Sequence, residues 1–411
     1  MDSRTDLYSP AALAIYACGF FSLGFPVLIG LAVPLWTLEL HAPAATTGLI
    51  LGIPALLPLF LSIHVGTLMD RTDVRFVTLL LAIAGTILPL LYPLFPWLAA
   101  LFVLQLFAGF VYQLAWVGAQ TLIGRAYPGD PRYYGRFSSA SSLGMFFGPL
   151  IDGFAWTWFG HWGGFGVLAL WGAGLTIAVL AVPKLSGPVG KLNWRESLLP
   201  DLKSYAATLR LIAIPAITLV VLATFLRISA SYIRSSFYSI YLRQDAGLSE
   251  STIGILLAFA ALSGTFGSLF AESAVASCGT QRRALLLSGA VAVLFISITP
   301  LMPNLWMLAL AVAIYGLGMG VNQPILLAIL SSSVGFEYQG ASAGLRSTAN
   351  LVAGLGVPAG MGFLIEFSGI RIGFYVTGAL LLGATAVVWM VTREPTKPSA
   401  LQSRSAGTSQ T

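Results

Sequence analysis

The run GRFSSASSLGMFFGPLIDG, residues 135–153, returns 209 residues later as GLRSTANLVAGLGVPAGMG, residues 344–362. Gly135 falls on Gly344, Pro149 on Pro358 and Gly153 on Gly362. The same spacing, within two residues, pairs Trp97 with Trp306 (PWLAAL, LWMLAL) and Gly109 with Gly316. A chain of 411 residues that repeats itself at about half its length is built from two matched halves. What the halves are made of follows from composition. Hydrophobic residues make up 57% of the chain and charged residues 9%, against about 25% charged in a soluble protein. Mean hydropathy is +0.86. No water-surrounded core buries that much apolar side chain, so the fold class is an all-α polytopic membrane protein.

Twelve apolar stretches are each near the roughly 20 residues that cross a bilayer. Six lie at about 11–38, 47–69, 76–95, 97–121, 138–159 and 162–182. Six more lie at about 212–242, 251–271, 284–301, 304–330, 340–366 and 372–391. The expected organisation is a first six-helix bundle over 1–183, a cytoplasmic linker over 184–211, a second bundle over 212–392 and a disordered polar tail over 393–411. The N-terminus lacks a basic n-region, and the first apolar run is too long for a signal peptide, so it reads as a retained span. With both termini cytoplasmic, 16 of the 21 lysines and arginines fall in inside segments and two, Arg243 and Arg371, fall outside. That asymmetry predicts a multi-pass protein of the cell (inner) membrane by the positive-inside rule. It also accounts for the net charge of +6 without nucleic acid. Cys18 and Cys278 are too far apart in character to suggest a disulfide or metal framework, and no cofactor is expected.

Two motifs carry a mechanism. After span 2 comes GTLMDRTDVR, where Gly66 and Leu68 permit close helix approach and Asp70 sits at a helix end with Arg71 and Arg75 beyond it. A carboxylate there can neutralise guanidinium groups or cap a neighbouring helix N-terminus, which makes a conformational latch; the plain alternative is positive-inside arginines with an incidental aspartate. In span 5, Ala140, Gly144, Gly148-Pro149 and Gly153 place small residues every four positions and a proline at one chosen point, a smooth face for helix packing.

On these residues the chain resembles the major facilitator superfamily. Its loop between helices 2 and 3 carries G-x-L-x-D-R-x-x-x-R, matched here by Gly66, Leu68, Asp70, Arg71 and Arg75. The degenerate copy GSLFAESAVASCGTQRR (267–283) is what that family implies after helix 8, with its acid, Glu272, one residue late. Span 5 looks like the Gly-Pro-x-x-Gly-Gly motif of the family's proton-antiporter branch, which exports drugs and other small molecules. Asp152 here replaces the first of the last two glycines, and Gln105 stands in span 4 where that branch carries a relay arginine. The resemblance implies twelve helices in two pseudo-symmetric bundles and secondary transport by alternating access. Parallel six-span repeats put the substrate site between the halves, near the midplane.

Residues 222–238, LATFLRISASYIRSSFY, place Arg227, Ser231, Arg234 and Tyr238 on one helical face of span 7. Arg227 is roughly 22 Å along the helix, too deep to reach either surface easily; Arg234 is near enough to do so. Arg346 lies near the start of span 11. A buried cationic stripe attracts anions, so the expected substrate-binding set is Arg227, Ser231, Arg234 and Tyr238 with Gln113, Trp116, Asn322, Gln323 and Asn350. Asp152 and His64 are the candidates for proton coupling. Asp152 reads equally as an arginine counter-ion, with Glu366 a possible second one, or as an inert buried acid. Gly144, Gly148, Pro149 and Gly153 are packing residues.

No Walker A run appears, since GPVGK (187–191) is too short, and no H-E-x-x-H or G-x-S-x-G is present, so neither an ATP-driven pump nor an enzyme is expected. The expected function is proton-coupled export of a small anionic or amphipathic organic solute by a monomer in the bilayer. The alternative is proton-coupled uptake of an anionic metabolite or metal chelate.

Overall fold

The structure is a computed structural model describing residues 6–61, 73–184, 215–333 and 339–392. Among these residues ten helices are long and apolar enough to span a membrane. The twelve expected spans are reconciled by two details. Residues Pro131–Ala181 form one 51-residue helix that reverses at Gly160, whose φ of 61° and ψ of −155° suit only glycine. Its two arms, 131–159 and 161–181, are spans 5 and 6. Span 9, Gln281–Ser297, has 17 residues and is short of the usual length. The other spans are Pro10–Glu39, Ala44–Leu61, Val74–Leu94, Leu98–Ala126, Ile217–Gln244, Glu250–Leu269, Leu305–Leu330, Gly344–Ser368 and Ile370–Val391. Two further features were not anticipated. A short helix, Ala271–Cys278, occupies what read as loop after span 8 and ends on Gly279 at φ 76°. Span 7 widens into a π-helical turn over Arg234–Tyr238.

Local chemistry sets the starts. Ser9 caps span 1, accepting from Ala12 N at 3.3 Å ahead of Pro10. Asp130 caps span 5 ahead of Pro131. Asp130 also takes two side-chain hydrogen bonds from Arg132, which hold its carboxyl below the ordinary aspartate value. Exposed aromatics, Trp97, Trp158, Phe159, Trp162, Trp306 and Phe367, gather at the face opposite the chain termini, the far face. That is where an interfacial belt belongs.

The two halves meet at this far face. Span 2 crosses span 11, and span 5 crosses span 8, backbone against backbone. A Cβ added to Gly362 would lie 2.6 Å from Ala44 O and 2.8 Å from Gly48 Cα. One added to Gly153 would lie 2.6 Å from Glu250 O and 3.0 Å from Gly254 Cα. Conversely, a Cβ on Gly48 would strike Pro358 O, and one on Gly254 would strike Pro149 O. The two crossings are the same contact made twice, related by the internal repeat. The hydrogen bonds described between the halves sit there too: Ala45 N to Glu366 Oε2 at 3.2 Å, Ser251 N to Thr157 Oγ1 at 2.9 Å and Ser239 Oγ to Gly30 O at 3.4 Å. The far face is closed.

Gly254→Val tests this closure. The branched side chain has only backbone to push on, and overpacking of this kind costs about 1–3 kcal/mol. In a chain whose own cysteines are replaced by serine, Ser251→Cys should then label faster with a membrane-impermeant thiol reagent than it does beside the native glycine.

Candidate functional site

Below the crossings lies a cavity of about 140 Å³ shared by the two halves. Spans 1, 2 and 4 contribute Pro26, Gly30, Gly52, Pro54, Gln105, Gly109, Tyr112 and Gln113; spans 7 and 11 contribute Tyr232, Ser235, Ser236, Leu351, Gly354 and Pro358. Glycines and prolines keep the walls thin and stiff, and polar groups enter from both sides. Gln105 is buried and accepts from the Tyr92 hydroxyl at 3.2 Å, while its Nε2 and the Tyr112 hydroxyl have no partner. A second cavity, about 290 Å³, lies at the seam between the halves on the far face, lined by Thr37, Thr47, Phe237, Gln244, Ile365 and Ile370 among others.

The arginines stand on the neighbouring face of span 7. Arg234 Nε donates to the Tyr315 hydroxyl of span 10 at 3.3 Å, and its guanidinium lies 5.9 Å from that ring's centroid. Arg227 Nε is buried and makes no hydrogen bond. Tyr315 and Arg346 are near enough for their charges to act on Arg227. Among the described residues the ion pairs are Arg132–Asp130, His161–Glu39, Arg243–Glu250 and Arg371–Asp245. None involves Arg227, Arg234 or Arg346. The geometry leaves a cationic cluster inside the second half with no acid against it.

Of the other residues singled out in the sequence, Gln113 lines the cavity, whereas Trp116 stacks on Phe137 at 5.8 Å. Tyr238 is fully buried with an unpartnered hydroxyl, and Ser231 is half-buried. Gln323 Oε1 and Asn350 Oδ1 have no partner. Asn322 is turned away from any ligand: its amide donates to Leu285 O at 2.7 Å and Ser288 Oγ at 3.2 Å, tying span 10 to span 9. Glu366 is spent on Ala45 N at the start of span 2 and so answers no arginine. Asp152 has no exposure, both its carboxylate oxygens lack partners, and no ion pair joins it to an arginine. It lies on the helix face of Gly144 and Gly148, which packs on Phe20 and Leu28 of span 1. Pro149 and Gly153 belong to the crossing.

His64, Gly66, Asp70 and Arg71 lie outside the described residues. Arg75 is within them and donates to Val179 O at 3.2 Å and Leu180 O at 2.7 Å. A cation there satisfies the carbonyl end of span 6. Tyr112, Tyr232, Ser235 and Ser236 were missed as cavity residues. Gln105, Gly109 and Gln113 recur every four residues on span 4, and that spacing was the signal available for Gln105.

Asn322→Leu separates packing from ligand binding. It removes both bonds to span 9 and leaves Leu285 O buried, which costs about 1–3 kcal/mol. The melting temperature should fall, while the affinity for any transported solute should hold.

Comparison with known proteins agrees with this architecture. The Major Facilitator Superfamily profile matches twice, over residues 13–226 and 220–410, once for each half. No curated protein matches. Solved structures share the fold at low identity. A variant of the nucleoside transporter NupG superposes with a TM-score of 0.75 at 15% identity, covering 93% of this chain and 98% of that one. A bacterial homologue of the lysosomal transporter Spinster, inward-facing and unoccupied, gives 0.71 at 16% identity, covering 93% and 97%. A POT family transporter in complex with 5-aminolevulinic acid gives 0.68 at 14%, covering 93% and 96%. A profile that covers both halves, on a helical fold with a shared central cavity, makes this chain a member of the Major Facilitator Superfamily, a transporter rather than an enzyme.

Proposed function

We propose that the chain carries a small organic anion across the cell membrane together with a proton, by alternating access, as a monomer with both termini cytoplasmic. The carrying observation is the cluster of Arg227, Arg234 and Arg346, which no described carboxylate pairs. Unpaired buried cations cost several kcal/mol each unless an anion arrives. The substrate's anionic group is that counter-ion, and the polar cavity beside it holds the rest of the molecule. Asp152 supplies the proton site: a carboxyl at zero exposure with no donor or cation against it is far better neutral than ionised. Loading an anion and a proton together adds no net charge to a low-dielectric chamber, which favours co-transport and hence uptake.

Export, to which the glycine-proline pattern of span 5 pointed, is the second reading. That pattern loses weight as an indicator of direction, because Pro149/Gly153 and Pro358/Gly362 make equivalent crossings in both halves. It serves the switching motion itself. Gly135 and Gly153 are 18 residues apart, as are Gly344 and Gly362, which is five turns and therefore one helix face. Gly153 and Gly362 are wedged against the opposite half, while Gly135 and Gly344 have nothing within 4 Å. The same two faces are thus available to close the terminal side when the far side opens. Asp70, Arg71 and Arg75 lie on that side as the proposed latch.

In proteoliposomes with an imposed pH gradient and a panel of phosphorylated and carboxylated solutes, Arg227→Ala should weaken transport by roughly 30-fold or more, the effect of losing one partner of a buried charge pair. Arg227→Lys should retain part of it. Asp152→Asn should keep solute exchange yet lose gradient-driven accumulation. Transport of every anion at the native rate by Arg227→Ala would overturn the reading.

A further inference from the structure

Five residues of the first half form a chain of polar groups from the far face to Asp152. Glu39 is the last residue of span 1, where the helix dipole disfavours an acid. It is nonetheless held there by two donors. Trp156 Nε1 gives a hydrogen bond to Glu39 Oε1 at 3.2 Å, and His161 Nδ1 lies 2.9 Å from Glu39 Oε2. His161 follows the reversal at Gly160, and its ring packs on Trp36 with centroids 4.5 Å apart. The Glu39 and His161 side chains are 40% and 33% exposed, so this end is wet.

The other end is dry. Asp152 precedes Trp156 by four residues, and Trp36 precedes Glu39 by three, so each lies one turn below the Trp156–Glu39 bond on its own helix. Spans 1 and 5 run side by side in the same direction, with Phe20 against Gly144 and Leu28 against Gly148. The two side chains are therefore at one level of one helix pair. Both are buried, and both are polar without partners: the indole Nε1 of Trp36 as a donor, the two oxygens of Asp152 as acceptors. A buried water that bridges a stranded donor and a stranded acceptor is the ordinary way such groups are satisfied.

We propose that Glu39 and His161 form a proton port that connects Asp152 to the far-face solution while the far face stays shut to the solute; this rests on Asp152 being the proton site. A hydronium ion gives its proton to the Glu39 carboxylate. The acid so formed passes the proton through a bridging water to an Asp152 oxygen, and Glu39 returns to carboxylate. His161 and Trp156 position the carboxylate. The other charged groups facing this region are His41 in the turn after span 1 and Glu250 of span 8, the latter already paired with Arg243 of span 7 at 3.0 Å. Proton and solute then reach the chamber from different directions in the state seen here, which is what a coupled carrier needs to avoid leaking one without the other.

The test is hydrogen–deuterium exchange at the Asp152 carboxyl, followed by infrared spectroscopy of the full chain in phosphatidylcholine vesicles. The band is assigned by its loss in Asp152→Asn. Glu39→Gln keeps an acceptor for Trp156 but cannot carry a proton, and should slow exchange roughly 10²-fold, the scale of a positioned proton-transfer group. Trp156→Phe removes the hydrogen bond and leaves the carboxylate, and should slow exchange far less. Exchange at the native rate in Glu39→Gln overturns the port, as does equal slowing in Glu39→Gln and Trp156→Phe, which marks a packing effect. A spectrum with no Asp152 band at any pH removes instead the proton site proposed above.

Discussion

Two helix crossings without side chains hold the far face shut, and the rest of the structure is arranged around them. At Gly48–Gly362 and Gly153–Gly254 the backbones of opposite halves touch. In a bilayer there is no hydrophobic force to press helices together, because lipid tails are as apolar as leucine. Close packing of small residues and a few interhelical hydrogen bonds must do it. Those bonds are present beside each crossing, Ala45 to Glu366 and Ser251 to Thr157. An interface of this kind is tight yet shallow. It binds through shape, with little buried charge to break, and so can part and re-form.

The chamber below inherits its asymmetry from what the halves do not share. The first half lines it with Gln105, Tyr112 and Gln113, neutral hydrogen-bonding groups. The second half sets its three arginines alongside, with Tyr315 across from two of them. A solute there meets amide and hydroxyl on one side and fixed positive charge on the other. The only acid well inside a described span, Asp152, is placed away from the arginines, against span 1. Separation matters chemically: an Asp–Arg pair would neutralise both groups and leave neither free for a solute or a proton.

Expectation and structure diverge most where a side chain had two tasks open to it. Asn322 and Glu366 both read as chamber groups from hydropathy alone, since a polar residue in an apolar stretch is conspicuous. Asn322 instead fastens span 10 to span 9, and Glu366 caps span 2. Each partner lies in another span, so no local pattern could reveal it. The π-helical turn at Arg234–Tyr238 had the same effect on span 7. It shifts the register, so that Tyr232, Ser235 and Ser236 meet the cavity while the arginine stripe turns toward span 10.

Hydropathy, the spacing of lysine and arginine and the 209-residue repeat carried the class, the span count and the two-halves plan, because a membrane demands long apolar helices and leaves little else to choose. Residues such as Arg227 and Asp152 were conspicuous for the same reason: charge is rare at that depth. Which face of each helix looks inward, which polar groups satisfy one another and which are left for a ligand depended on pairs of spans hundreds of residues apart in the chain. Those pairings, and with them the closed far face and the Glu39–His161 cluster, exist only once backbone has met backbone, since hydrogen bonding and close packing act over a few ångströms and a linear sequence records no such distance.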